Sequence, residues 1–279
     1  MKTILKGMQC NYLIMLTLIF IIACNSGNKK KAVETQNVSN ETPMISYTIK
    51  NQFPHDTMSF TEGFLFHEGQ LFESTGSPDN VPYARSVFGP LDLNTGKINV
   101  KAELDRKVYF GEGILFINNQ IFQLTYKNQI CFVYDAKTYK KIKQYSFVNT
   151  EGWGMTTDGK EIIMSDGTNM LTFLNPDNFT PIRSLQITDN GFAVDYLNEL
   201  EFIKGYIYAN IWGTNTIVKI NPVDGNVVGK FDLTAVADDA RSKHQRLFEM
   251  NGIAYDASAD KIYVTGKMWS QIYQIDFTH

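Results

Sequence analysis

The chain has 279 residues, 26 basic and 29 acidic, a net charge of −3, and 43% hydrophobic and 13% aromatic residues. This length suits one large all-β domain, since such folds often reach roughly 200–250 residues as a single unit. The near balance of charge excludes a basic footprint for nucleic acid, and the KKK run at 29–31 reads as part of a solvated tail.

At the amino terminus, Lys2 and Lys6 precede the apolar run YLIMLTLIFIIA, residues 12–23. Such a run is short for a membrane span and suits the apolar region of a signal peptide. It ends in IIAC, and a small residue followed by cysteine resembles a bacterial lipobox. We therefore expect a lipoprotein signal peptide over 1–23, with Cys24 as the lipidated first residue of the mature chain. The alternative is an ordinary signal peptide cut nearby. Residues 24–43 are polar and predict a flexible tether, because they cannot bury enough surface to fold. The folded domain is expected over 44–279. These features imply the bacterial cell envelope, a periplasm-facing protein and a membrane contact through the lipid alone. With Cys10 in the signal and Cys24 lipidated, Cys131 is left alone in the domain and reads as a small core residue.

The domain begins with an isolated strand, ISYTIKNQF, residues 45–53. After it, one pattern recurs five times, opening with EGFLF at Glu62, EGILF at Glu112, EGWGM at Glu151, NELEF at Asn198 and NGIAY at Asn251. A second apolar strand follows each opening: QLFEST, QIFQLT, EIIMSD, YIYANIW and KIYVTGKMW. A third ends in Asp92, Asp135, Asn175, Asn221 or Asp276. Asp92, Asp135, Asp166 and Asp276 read as turn caps. A fourth strand completes four units, KINVKAEL, KKIKQYSF, PIRSLQIT and NVVGKFDL, and is missing from the fifth. Four strands per repeat, with openings 39–53 residues apart, predict an all-β, five-bladed β-propeller with four-stranded antiparallel blades. An open ring would expose strand edges, so the amino-terminal strand is expected to complete the last blade. One short helix is expected within 234–250.

In such a ring the first strand of each unit lines the central channel, and the residues before those strands gather at one mouth. This places Glu62, Glu112, Glu151 and Asn198 near one another, within reach of Tyr126, Trp212 and Lys267 from the ends of second strands. Carboxylates, aromatics and one lysine converging on a funnel make a candidate site. Glu112 stands between two glycines in FGEGI, which marks either a plain turn or a carboxylate held close to something.

The segments FTEGFLF, ESTG, DLNTGK, FGEGI, QLTYK, VYD, EGWGMTTDG, MSDGT, LNELE, ANIWGTNTIVKI, NGIAYD and VTGKMW resemble, in order and over residues 60–269, the plant and bacterial glutaminyl cyclases. That resemblance implies a five-bladed propeller and conversion of an amino-terminal glutamine to pyroglutamate with release of ammonia. It implies an acyltransferase that works without metal or other cofactor on peptides or proteins beginning with glutamine. By motif position it implies substrate-binding roles for Phe60, Glu62, Phe110, Tyr126, Trp153 and Trp212. It likewise implies catalytic roles for Glu112, Asn198 and Lys267. Two positions depart from the family pattern, which often has glutamine at Glu62 and tryptophan at Tyr126.

The residues support this chemistry. Glu112 suits a proton shuttle between the attacking amine and the leaving nitrogen. Lys267 and Asn198 suit the developing oxyanion. The aromatics suit a box that folds the side chain onto its own amine, and Glu62 suits ion pairing with that amine. No metal-ligand spacing links His55, His67, His244 and His279, and no Ser-His-Asp order, Walker loop or Rossmann fingerprint is present. The competing readings are a non-catalytic propeller that binds peptides or glycans and, more weakly, a metal-dependent sugar lactonase. A monomer is expected.

Overall fold

The computed structural model describes residues 41–277. The expected signal peptide, Cys24 and most of the tether lie outside the described residues. Five antiparallel sheets follow one another along the chain. Blade 1 runs Thr61–His67, Gln70–Thr75 and Val87–Asp92, then an outer strand broken into Lys97–Ile98 and Ala102–Glu103. Blade 2 comprises Gly111–Ile117, Gln120–Thr125, Ile130–Asp135 and Lys141–Ser146. Blade 3 comprises Met155–Thr157, Ile162–Ser165, Met170–Leu174 and Pro181–Gln186, and blade 4 Leu197–Ile203, Tyr206–Ile211, Thr216–Ile220 and Val227–Asp232. Blade 5 takes Met250–Asp256, Lys261–Gly266 and Gln271–Asp276 from the carboxyl-terminal part and Thr48–Pro54 from the amino-terminal part.

The closing strand is antiparallel to Gln271–Asp276, with Thr48 opposite Asp276 and Pro54 opposite Gln271. Just before it, residues 43–45 lie along the outer strand of blade 4. There Ile45 N donates to Lys230 O at 2.7 Å and Lys230 N to Pro43 O at 3.0 Å. One short stretch thus covers the edges of two neighbouring blades, which removes the unpaired backbone that invites edge-to-edge association.

Burial follows position in the blade. The inner strand Thr61–His67 is buried over its first five residues, because both its faces meet protein. The outer strand Lys141–Ser146 alternates exposed and half-buried residues, with one face in water. Apolar side chains fill the spaces between blades; Phe88 of blade 1, for example, meets Tyr134 of blade 2 edge-on at 4.9 Å. Cys131 is fully buried there.

Turn chemistry matches the sequence reading at Asp92, Asp135 and Asp166, whose side chains accept the backbone N–H of Asn94, Thr138 and Thr168. Asp276 instead pairs with Lys50 at 3.2 Å. The helix expected within 234–250 spans Thr234–Lys243 and packs Val236, Ala237 and Ala240 inward. A small hairpin, Thr188–Asp189 with Phe192–Ala193, joins blades 3 and 4 and was not anticipated.

Candidate active site

Where each inner strand enters the ring, one residue takes an equivalent position, and four of the five side chains line one cavity. The five positions are Glu62, Glu112, Trp153, Asn198 and Asn251, each near the start of its blade's inner strand. Four of these strands carry a bulge at that point, between Thr61 and Gly63, Gly111 and Ile114, Leu197 and Leu200, and Met250 and Ile253. The third unit corrects the sequence register by two residues: Trp153, not Glu151, occupies the ring. The segment EGWG holds two residues followed by glycine, and only the second precedes the blade's inner strand.

The glycine after the ring residue is needed because neighbouring inner strands touch. A Cβ on Gly63 would lie 2.8 Å from Ile114 N, and one on Gly113 would lie 2.8 Å from both Trp153 O and Met155 N. No side chain fits at such distances, so Gly113 holds Glu112 at the ring by letting blade 3 approach. In blade 4 the same place is taken by Glu199, which is buried and accepts the backbone N–H of Phe64 at 3.1 Å and of Ile253 at 2.8 Å.

A second repeated feature supplies the walls. In four blades, the residue after the second strand donates its N–H to the carbonyl two residues before the ring position. The pairs are Gly76 to Phe60 (2.8 Å), Tyr126 to Phe110 (3.0 Å), Trp212 to Tyr196 (2.9 Å) and Lys267 to Glu249 (3.0 Å). Each bond brings two side chains to the mouth together, except at Gly76, where a Cβ would collide with the Phe110 ring. In blade 3 the corresponding residue, Glu151, turns its carboxylate to the Trp153 indole, Nε1 to Oε2 at 2.9 Å.

These residues enclose a cavity of about 340 Å³ lined by Phe60, Glu62, Phe110, Glu112, Tyr126, Trp153, Asn198, Trp212 and Lys267, together with Pro78, Tyr196 and Glu249. The first nine are the predicted substrate-binding and catalytic positions, now in one cavity. The last three were missed. Tyr196 and Glu249 stand two residues before Asn198 and Asn251, as Phe60 and Phe110 stand before Glu62 and Glu112, so the repeat itself carried their signal.

Lys267 is the cavity's buried cation. Its Nζ lies 3.0 Å from Glu62 Oε2, 3.3 Å from Glu249 Oε1 and 4.8 Å above the Phe60 ring. Burial opposes its charge, but Glu62, Glu249 and Glu112 together hold its pKa above the usual lysine value. Glu62 also accepts Asn251 Nδ2 at 3.2 Å. Burial pushes the Glu62 carboxyl up to about 7 despite the pull of Lys267, and Glu249 adds to the rise. Glu112 is raised well above the usual carboxylate range, first by burial and then by Glu62 and Glu151, with Lys267 opposing. Asn198 is buried and its Oδ1 has no hydrogen-bond partner among the described residues. The aromatic wall has two parts: Trp153 meets Trp212 edge-on at 6.1 Å with Tyr196 5.9 Å from Trp212, and Phe110 lies 5.8 Å from Tyr126 and 6.2 Å from Phe60.

Among the described residues, no group of three or more His, Cys, Asp or Glu side chains is arranged to hold a metal ion. The carboxylates at the mouth are separated by the Lys267 ammonium, which repels a cation. What the cavity offers is a small apolar box, an acid–base group of raised pKa and a fixed positive charge.

The family model for glutamine cyclotransferase matches residues 16–277. A glutaminyl-peptide cyclotransferase of Arabidopsis thaliana is 36% identical over 226 residues, covering 80% of this chain and 69% of the relative. The crystal structure of the Myxococcus xanthus glutaminyl cyclase superposes with a TM-score of 0.76 at 29% identity, covering 85% of this chain and 98% of that one. The chain belongs to the glutamine cyclotransferase family.

Proposed function

We propose that the protein is a glutaminyl-peptide cyclotransferase that closes the amino-terminal glutamine of a peptide or protein into pyroglutamate in this cavity. The observation that carries the reading is the convergence of Glu112, Lys267 and Asn198 with an aromatic box on one small space.

The substrate's α-amine attacks its own side-chain amide carbon. Glu112 takes the proton that the amine must lose and returns it to the departing nitrogen, so that ammonia leaves and the carboxylate is regenerated. Its raised pKa makes it a stronger base toward the amine than an ordinary carboxylate. No side-chain hydrogen bond to another residue ties up the Glu112 carboxyl among the described residues, which leaves it open to substrate. Lys267, fixed between Glu62 and Glu249, faces the carbonyl oxygen as negative charge develops on it. The unpartnered Oδ1 of Asn198 accepts an N–H of the substrate's amide. Glu62 attracts the ammonium form of the amine before it is deprotonated. Phe60, Phe110, Tyr126, Trp153 and Trp212 fold the glutamine side chain back on its amine, and ring closure gains chiefly from such positioning.

The test is ammonia release from a glutamine-led dipeptide by the purified protein in the presence of a chelator. Steady release with formation of the pyroglutamyl product supports the reading. Tight binding of the peptide without ammonia would favour the non-catalytic propeller.

We further infer export to the bacterial cell envelope, with lipid on Cys24 as the membrane contact and a monomeric domain facing the periplasm. The IIAC junction after an apolar run supports this. Cys24→Ala should move the protein from membranes to the soluble fraction, and unchanged membrane association would contradict it.

A further inference from the structure

Glu249 has no part in the chemistry described above, yet it holds two parts of the cavity at once. Its Oε1 accepts the Trp212 indole N–H at 2.7 Å and lies 3.3 Å from Lys267 Nζ. Its backbone is fixed by the same lysine: Lys267 N donates to Glu249 O at 3.0 Å, and Phe248 N to Lys267 O at 2.9 Å. Trp212 needs such an anchor. It sits on a turn after the second strand of blade 4 and is 43% exposed, so packing alone does not set its ring. Lys267 needs one too, because an ammonium on a four-carbon stem is a mobile point charge unless its donors are satisfied. The Trp153 indole is held in the same way by Glu151, at 2.9 Å. A carboxylate on each indole N–H is thus a repeated device of this site.

We propose that Glu249 is a positioning residue that couples the Trp212 wall of the substrate box to the Lys267 ammonium, so that the wall and the charge are set by one carboxylate. The inference rests on the cyclotransferase reading. The two carboxylate functions separate by substitution. Glu249→Gln keeps an oxygen for the indole but removes the charge beside Lys267. Glu249→Leu removes both.

The full-length protein and the two variants are compared by kcat and KM for ammonia release from a glutamine-led dipeptide, by tryptophan emission and by melting temperature. Ammonia release by the unsubstituted protein tests the reaction itself; the variants test only the coupling. Charge-assisted hydrogen bonds carry enough energy to change a rate or affinity by about tenfold. For Glu249→Gln we expect kcat to fall by about that factor, with KM and emission close to the parent. For Glu249→Leu we expect KM to rise as well, by about tenfold, with a shift in the part of the emission that Trp212→Phe removes. In a Trp212→Phe background, Glu249→Leu should raise KM no further. An unchanged kcat in Glu249→Gln would overturn the proposal. So would KM effects of Glu249→Leu and Trp212→Phe that simply multiply. Should Glu249→Leu fail to fold, the kcat of Glu249→Gln decides alone.

Discussion

Glu112 and Glu199 are both buried carboxyls on inner strands at the channel, and burial raises both well above the usual carboxylate range. Their surroundings are opposite. Glu199 gives one oxygen to the N–H of Phe64 and the other to that of Ile253, so a side chain from blade 4 ties down blades 1 and 5. Glu112 lines the cavity beside Lys267 and the aromatic box. A shifted pKa therefore marks two kinds of buried acid, one that joins parts of the fold and one open to a ligand. Geometry separates them, and the shift does not.

Four experiments test this contrast. The largest effect is expected for Glu112→Gln, which keeps shape but cannot carry the proton. Ammonia release should fall about 10²–10⁴-fold, with a melting temperature near that of the parent. Near-normal turnover would return Glu112 to the class of Glu199. Next comes Glu199→Leu, which leaves two buried backbone N–H groups without acceptors. Stability in urea should drop by about 2–5 kcal/mol, while activity per folded molecule stays within about twofold of the parent. A large loss of turnover at full stability would place Glu199 in the chemistry.

A smaller effect concerns pH and stability. The Glu199 carboxyl titrates higher folded than its ordinary value of 4.5. The folded state therefore holds its proton more tightly, and stability is lost as pH rises above that ordinary value through the raised one. Glu199→Gln has no proton to lose, so its stability should decline less across the same range, measured by urea unfolding at a series of pH values. Equal slopes would refute the assignment. The smallest effect is expected for Glu62→Gln, since glutamine keeps an oxygen to accept Asn251 Nδ2. The parent's kcat/KM should show a limb near pH 7, where Glu62 titrates, as its anionic form gains hold of the substrate amine. That limb should vanish in the variant, and its persistence would assign it to another group.

Much of this was legible in the sequence because each blade repeats the same few signals. An apolar inner strand, a tight turn, a second strand and an Asp- or Asn-capped turn recur in the same order from unit to unit, and the missing fourth strand pointed to closure from the amino-terminal side. Of the nine predicted cavity positions, the repeat placed Glu62, Glu112, Asn198, Tyr126, Trp212 and Lys267 at one mouth, and the family resemblance supplied Phe60, Phe110 and Trp153. The third unit slipped by two residues because EGWG offers two places for the ring, and the contact of Gly154 with blade 4 that selects the second is made only in three dimensions. Tyr196 and Glu249 were overlooked because they stand before the counted motif, where blades differ most in side chain. Glu199 was invisible because it stands where the other inner strands carry the small residue that their crowded entry demands. The outer strand of blade 1 read as continuous but breaks between Ile98 and Ala102, where Asn99 O presses against Gly89.

The closing strand has a consequence in time. Synthesis delivers Thr48–Pro54 at an early stage, yet its partner Gln271–Asp276 emerges more than two hundred residues later. Until then blade 5 cannot form and blade 1 has no neighbour on one side. Contacts of such long range are slow to find, and incomplete chains expose strand edges that can pair wrongly. Folding is completed by the union of the first and the last of the described strands.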